Sequence, residues 1–268
     1  MSDAFALEIQ PACNVQVNVP SGARLFEVVD NRLSSGRGFT LATLNLDHVV
    51  KLRLSPKFRR VYKAHRFVVA DGTPIVWLSR LADRPVDLIP GCELVLPLCE
   101  LAARKDIPVA LVGASEAALD RAAKRLKARV PELKIVMQHA PSWGFDPEGS
   151  EADACLADIR RSGARLCVVA LGAPKQEIVA IRASKSMPGC GFVSVGAGID
   201  FIAGTQHRAP EWMRRNSLEW FWRLATNPRR LFRRYTRCAM VLPSLAVSVF
   251  RKRRQRPERK KAPEVQNA

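Results

Sequence analysis

Short, nearly continuous apolar runs alternate along the chain with longer amphipathic stretches. The runs fall at residues 39–44, 66–70, 109–113, 134–138, 166–171 and 192–195, and each is rich in β-branched or other apolar side chains. Runs of this length read as strands buried on both faces, and the amphipathic stretches between them read as helices. Strand and helix in alternation predict an α/β fold, a Rossmann-like, mostly parallel sheet with helices on both faces. Upstream, Val15, Val17 and Val19 alternate within residues 8–19, which predicts an edge strand or hairpin. Ser21 then suits the N-cap of a helix, as Ser115 does for a plain surface helix over residues 115–130.

In such sheets ligands collect beyond the carboxyl ends of the strands. That rule gathers Thr43, Asn45, Asp71, Gly72, Gly113, Ser115, residues 172–177 and residues 196–200 onto one rim. Asp71 sits between an apolar run and Gly72-Thr73-Pro74. A carboxylate there can have a raised pKa and act as a general base, and it can equally cap the helix that Pro74 opens. Thr43 and Asn45 bring a hydroxyl and an amide to the same rim, though each also suits a turn. The segments Gly172-Ala-Pro-Lys-Gln-Glu177 and Gly196-Ala-Gly-Ile-Asp200 both join a strand to a helix, where free N–H groups can meet phosphate. Neither completes the dinucleotide fingerprint, and no G-x-x-x-x-G-K-[ST] loop occurs.

Charge divides the chain. With 43 Lys and Arg against 25 Asp and Glu the net is +18, of which residues 208–268 hold +13. The expected organisation is therefore a catalytic domain over 1–207, a basic aromatic helical appendage over 208–250 and a charged, disordered tail over 251–268. Trp212, Trp220, Phe221, Trp222, Phe232 and Tyr235 interleave with arginines in the appendage, as suits an anionic membrane surface or, alternatively, a nucleic acid. Arg223, Arg230 and Arg233 would share one helix face if Pro228 did not interrupt it, and clustered guanidiniums suit a diphosphate. The most apolar late stretch, residues 238–250, is too short to span a bilayer. Seven cysteines without a C-x-x-C pair, and no signal peptide, read as reduced thiols in the cytoplasm. The four histidines show no metal-binding spacing, and D-x-D is absent, so no metal and no cofactor is expected.

Together these segments resemble the bacterial WecG/TagA/CpsF glycosyltransferases, from about Asn14 to Tyr235. The most specific stretches are Thr43-Leu-Asn45, Ala70-Asp71-Gly72, Gly172 to Glu177, Gly196 to Gly204, Arg208-Ala-Pro-Glu-Trp212 and Leu218 to Arg223. The resemblance implies a metal-independent, inverting transfer of a hexose-type sugar from a UDP-sugar donor to a polyprenyl-diphosphate-linked acceptor. It places the enzyme peripherally on the cytoplasmic face of the plasma membrane, in bacterial cell-surface polysaccharide synthesis, with homo-oligomers allowed and no nucleic acid expected. By the same carry-over Asp71 is the catalytic base, and Thr43, Asn45, Gln176 and Asp200 serve the donor pocket. Arg223, Arg230 and Arg233 would hold the lipid diphosphate or the leaving nucleotide. One departure stands out: the family pattern R-x-x-G-x-D reads Leu88-Ile-Pro-Gly91-Cys-Glu93 here, with Arg84 the nearest substitute. The rival readings are an inactive relative serving as a membrane-bound assembly partner, and a basic nucleic-acid-binding protein.

Overall fold

The computed structural model describes residues 4–10, 13–216 and 218–255, and of Arg230 the backbone alone. Of the tail expected to be disordered over 251–268, residues 251–254 instead form the last turn of the final helix, since that helix runs on through the basic residues, and the stretch from residue 256 onward lies outside the described residues. A hairpin of β1 (Phe5–Gln10) and β2 (Cys13–Val17) precedes α1 (Gly22–Ser34). Then follow β3 (Phe39–Leu44), α2 (Leu46–Leu54), α3 (Pro56–Lys63), β4 (Phe67–Ala70), α4 (Thr73–Leu81), α5 (Gly91–Arg104), β5 (Val109–Gly113), α6 (Glu116–Arg129) and β6 (Ile135–His139). The second half runs α7 (Ser150–Arg161), β7 (Leu166–Ala170), α8 (Lys175–Ser186), β8 (Gly191–Ser194), α9 (Gly198–Ala203), α10 (Glu211–Arg215), α11 (Glu219–Thr226) and α12 (Pro228–Arg254).

Strands β3 to β8 form one sheet in the order β4-β3-β8-β7-β5-β6, and every neighbouring pair is parallel. The four inner strands are buried throughout, because helices cover both faces, whereas edge strand β6 alternates partly buried and exposed positions. Side-chain alternation divides the core accordingly. Leu41, Leu111, Val168 and Val193 point to the layer of α1, α5, α6 and α9. On the opposite face Ala42, Leu44, Val68 and Ala70 meet α2, α3, α4 and the hairpin, while Val112, Val169 and Phe192 meet α7 and α8. Ser21 and Ser115 cap α1 and α6 by accepting from the Arg24 and Ala118 N–H groups.

The hairpin begins at Phe5, ahead of the expected residue 8, since the alternation Phe5, Leu7, Ile9 already faces the core. The last helix returns to it. Cys238, Leu245 and Val249 of α12 are buried in the cluster of α2, α4 and β1, with Pro243 tolerated inside the helix. Polar contacts flank this stripe: Arg53 donates to the Ser244 hydroxyl at 3.0 Å, Ser248 to Glu8 at 2.9 Å and Lys252 to Asn14 at 3.0 Å. Among the described residues no helix is long and apolar enough to cross a membrane.

Candidate active site

The register of β3 against β4 builds the centre of the site. Leu44 pairs with Ala70, so the residues that follow each strand, Asn45 and Asp71, emerge side by side. The Asp71 N–H donates to the Leu44 carbonyl at 2.7 Å, and the Asn45 amide Nδ2 donates to Asp71 Oδ2 at 3.3 Å. The cap of α4 is not Asp71 but Gly72, whose φ of 108° lies in the region glycine favours and which makes no side-chain cap bond. The carboxylate is therefore not spent on closing the helix. Burial pushes the Asp71 carboxyl above the usual carboxylate range; His48, the Asn45 hydrogen bond and the charge of Arg223 pull the other way without reversing it, and Glu219 adds to the rise.

Asn45 is held from behind. As N-cap of α2 its Oδ1 accepts the His48 N–H at 3.1 Å, and its own N–H donates to His48 Nδ1 at 3.3 Å, a reciprocal capping box. His48 Nε2 then stands 3.4 Å from Oε1 of Glu177, a long contact between two buried groups. The same oxygen accepts Gln176 Nε2 at 2.8 Å, while Gln176 Oε1 accepts the Gly196 N–H at 3.0 Å. Burial alone would raise the Glu177 carboxyl, but His48 and the Gln176 amide outweigh it and hold it below the ordinary range.

The other expected donor residues are placed as follows. Thr43 is buried on β3 beneath the start of α5, where a Cβ on Gly91 would come within 3.2 Å of its methyl group. Gln176 is buried and its amide ties the turn after β7 to the turn after β8. Asp200 lies in the first turn of α9 and accepts from the Thr205 hydroxyl at 3.0 Å. Among the described residues no hydrogen bond joins Asp200 to Asn45, Asp71 or Gln176.

The three arginines do not share a helix. Asn227, with φ −140° and ψ 60°, ends α11, and Pro228 opens α12, since proline lacks the N–H that would continue the preceding helix. Arg223 on α11 lies over the Phe201 ring at 5.5 Å and contributes charge at Asp71. Arg233 is exposed on α12, and the side chain of Arg230 lies outside the described residues. Arg208 covers the same Phe201 ring at 5.8 Å and bridges Glu93 at 2.6 Å to Glu219 at 3.0 Å. The glutamate in the departing segment thus has an arginine partner, while Leu88 is an exposed apolar side chain. Burial pushes the neighbouring Cys92 thiol up to about 12, so it is an uncharged thiol at neutral pH rather than a nucleophile. The cysteines are all free, five of them buried. Among the described residues no three His, Cys, Asp or Glu side chains converge as a metal site would require.

Sequence reasoning gave no role to His48, Glu177, Arg208 or Phe201, although it put Glu177 on the rim and Glu177, Phe201 and Arg208 within the most specific stretches. Glu177 had a signal, lying directly after Gln176 in a strand-to-helix turn, and His48 had another, standing at the third helical position after an Asn cap. Arg208 and Phe201 meet only through the tertiary fold. With this geometry in place, the family described as "Glycosyl transferase WecG/TagA/CpsF family" matches residues 11–259. The chain belongs to that family.

Proposed function

We propose that this family member moves a hexose-type sugar from a UDP-sugar to a sugar carried on a polyprenyl diphosphate, with inversion at the anomeric carbon and without a metal. N-acetylmannosamine, its uronic acid and glucose are the donor sugars to test. The observation that carries the reading is Asp71: a half-buried residue at the end of β4 whose carboxyl is raised above its usual range by burial and held by one amide. A base of that kind accepts a hydroxyl proton more readily than an ordinary surface aspartate.

In the proposed step an acceptor hydroxyl oxygen attacks the anomeric carbon while Asp71 takes its proton. The bond from that carbon to the diphosphate oxygen breaks, and its electron pair leaves with the UDP. Holding acceptor and donor together makes the attack effectively unimolecular, and guanidiniums set in place beforehand stabilise the departing charge. Arg223, whose charge is felt at Asp71, is the first candidate, with Arg230 and Arg233 carried on α12. Thr43 and Asn45 would shape the reacting pocket, and Gln176 and Asp200 the donor side.

The lipid side of the reading rests on the last three helices, the proposed membrane-associating part of the chain. Trp212 is 60% exposed and Phe232 67%, among arginines, an arrangement that suits the interfacial zone of an anionic bilayer. Replacing both by serine is expected to weaken binding to anionic vesicles with little change in melting temperature.

The test is release of UDP from a panel of UDP-sugars, with polyprenyl-diphosphate-sugar acceptors in liposomes and Asp71→Asn as control. Acceptor-dependent release with one donor, lost in the control, is the expected result. No release with any donor from folded, vesicle-bound protein would favour the inactive-partner reading, with Leu88 as its reason.

A further inference from the structure

A buried carboxylate is costly to a fold, and Glu177 is fully buried. Its Oε2 has no hydrogen-bond partner, and within the same cluster neither do Tyr62 Oη, His65 Nε2 and His48 Nε2, the last facing Glu177 Oε1 across 3.4 Å as a close polar contact rather than a formed hydrogen bond. The Tyr62 ring lies 5.9 Å from His48 and 5.7 Å from His65, so these polar groups crowd behind the rim rather than scattering through the core. A well-packed apolar side chain would serve stability as well or better at such a position. What Glu177 does instead is anchor the ends of three strands. Through His48 it reaches the turn after β3, through its own backbone the turn after β7, and through Gln176 the turn after β8.

The hydrogen-bond directions in this chain are determined. His48 Nδ1 accepts from the Asn45 N–H, so the proton of the neutral ring belongs on Nε2, facing Glu177. The Asn45 Oδ1 accepts from the His48 N–H, so its amide nitrogen must face Asp71. Flipping the Asn45 amide would set its NH2 against the His48 N–H and its oxygen against the Asp71 carboxylate, and flipping the His48 ring would bring a carbon to the Asn45 N–H in place of an acceptor. Among the described residues Asp71 takes no other side-chain hydrogen bond, so the whole series ends on one carboxylate oxygen and leaves Oδ1 for the substrate hydroxyl. We infer that Glu177 and His48 are positioning residues for Asp71: the Glu177 carboxylate fixes the His48 ring, the ring fixes Asn45, and Asn45 orients the carboxylate that takes the proton. This rests on the reading of Asp71 as the base.

Two measurements separate failure of this inference from failure of that reading. The first is the Asp71 titration midpoint, from carboxyl ¹³C spectra of labelled protein after subtraction of Asp71→Asn, which needs no turnover. The groups that bear on it are His48 and Asn45 from the β3–α2 side, Arg223 and Glu219 from α11, and Tyr62 of α3 and Cys92 of α5, which feel the Asp71 charge in turn. The second is acceptor-dependent UDP release from UDP-N-acetylmannosamine, its uronic acid and UDP-glucose. His48→Leu removes the first-named influence holding the midpoint down and is expected to raise it, Glu177→Gln is expected to move it, and each is expected to lower kcat about tenfold to a hundredfold, as loss of a supporting contact does elsewhere. KM for the donor should stay within about threefold. His48→Gln, which can accept from the Asn45 N–H and donate to Glu177, should recover at least about a third of the activity. The double variant Glu177→Gln/His48→Gln should fall no further than Glu177→Gln alone.

An unmoved midpoint in Glu177→Gln overturns the inference, as does a kcat loss that His48→Gln does not rescue. Should His48→Leu fail to fold, Glu177→Gln still decides. If Asp71→Asn itself retains turnover, the reading of Asp71 as base fails instead, whatever the midpoint does.

Discussion

Leu245→Ala tests how the last helix is held and whether that matters to catalysis. Leu245 is 0% exposed, and with Cys238 and Val249 it forms the buried stripe of α12, at spacings of seven and four that keep one helix face inward. Three such side chains contribute roughly 4–9 kcal/mol at about 1.5–3 kcal/mol each. Truncating a buried leucine costs about 2–5 kcal/mol, the cavity included. The variant thus removes about half of what docks the helix, while the sheet it docks against keeps its own core. At about 1.36 kcal/mol per factor of ten, amide protection over residues 238–250 should fall between about 30-fold and several thousand-fold. Hydrogen exchange followed by mass spectrometry reads this directly, with protection in β5 and β7 as the internal control. Met240→Ala, 67% exposed on the same helix, should change protection by less than the factor corresponding to about 0.5 kcal/mol. Because α12 carries Arg230 and Arg233, UDP release should fall in Leu245→Ala and not in Met240→Ala. Protection unchanged in Leu245→Ala would refute the docking argument, and lost protection with full turnover would refute the role given to α12.

Gly72→Ala is expected to cost about 1–3 kcal/mol in chemical denaturation, since φ of 108° is strained for any side chain, and to lower turnover because the strained residue adjoins Asp71. Gly198→Ala places a methyl within 2.8 Å of Val95 Cγ2 and 3.0 Å of Val195, so overpacking at the start of α9 should cost about 1–3 kcal/mol in the same measurement. For the pH dependence, the Asp71 carboxyl is raised in the folded state, so kcat/KM should climb with pH through a midpoint above the usual carboxylate value of about 4. A limb at or below about 4 would count against it. A raised carboxyl contributes stability only below its unfolded pKa and loses it as pH rises through the folded one. Asp71→Asn should therefore melt at or above the native protein near neutral pH, an advantage that vanishes below about pH 4.

The sheet was legible because its inner strands are buried on both faces, so that residues 39–44, 109–113 and 166–170 carry apolar side chains at nearly every position. Edge strand β6 was legible only to within a residue, because its alternating pattern tolerates a shift. Asn45 and Asp71 could be placed on a common rim from the order of strands and turns, but their contact depends on the β3–β4 register, which no local pattern encodes. The break at Asn227 and Pro228 was visible as a possibility, and only the non-helical backbone of Asn227 decides that Arg223 is separated from Arg233. His48 and Glu177 are 129 positions apart, and their pairing is a property of the fold.

The contact between β1 and α12 joins residues near 8 to residues near 250. Phe5, Leu7 and Ile9 share their core with α2, which follows within about fifty residues, and with α12, more than two hundred residues later, so the cover of the hairpin is complete only when α12 has docked. Until then one flank of β1 lacks its partner, and the ends of the described chain are coupled through a single buried cluster.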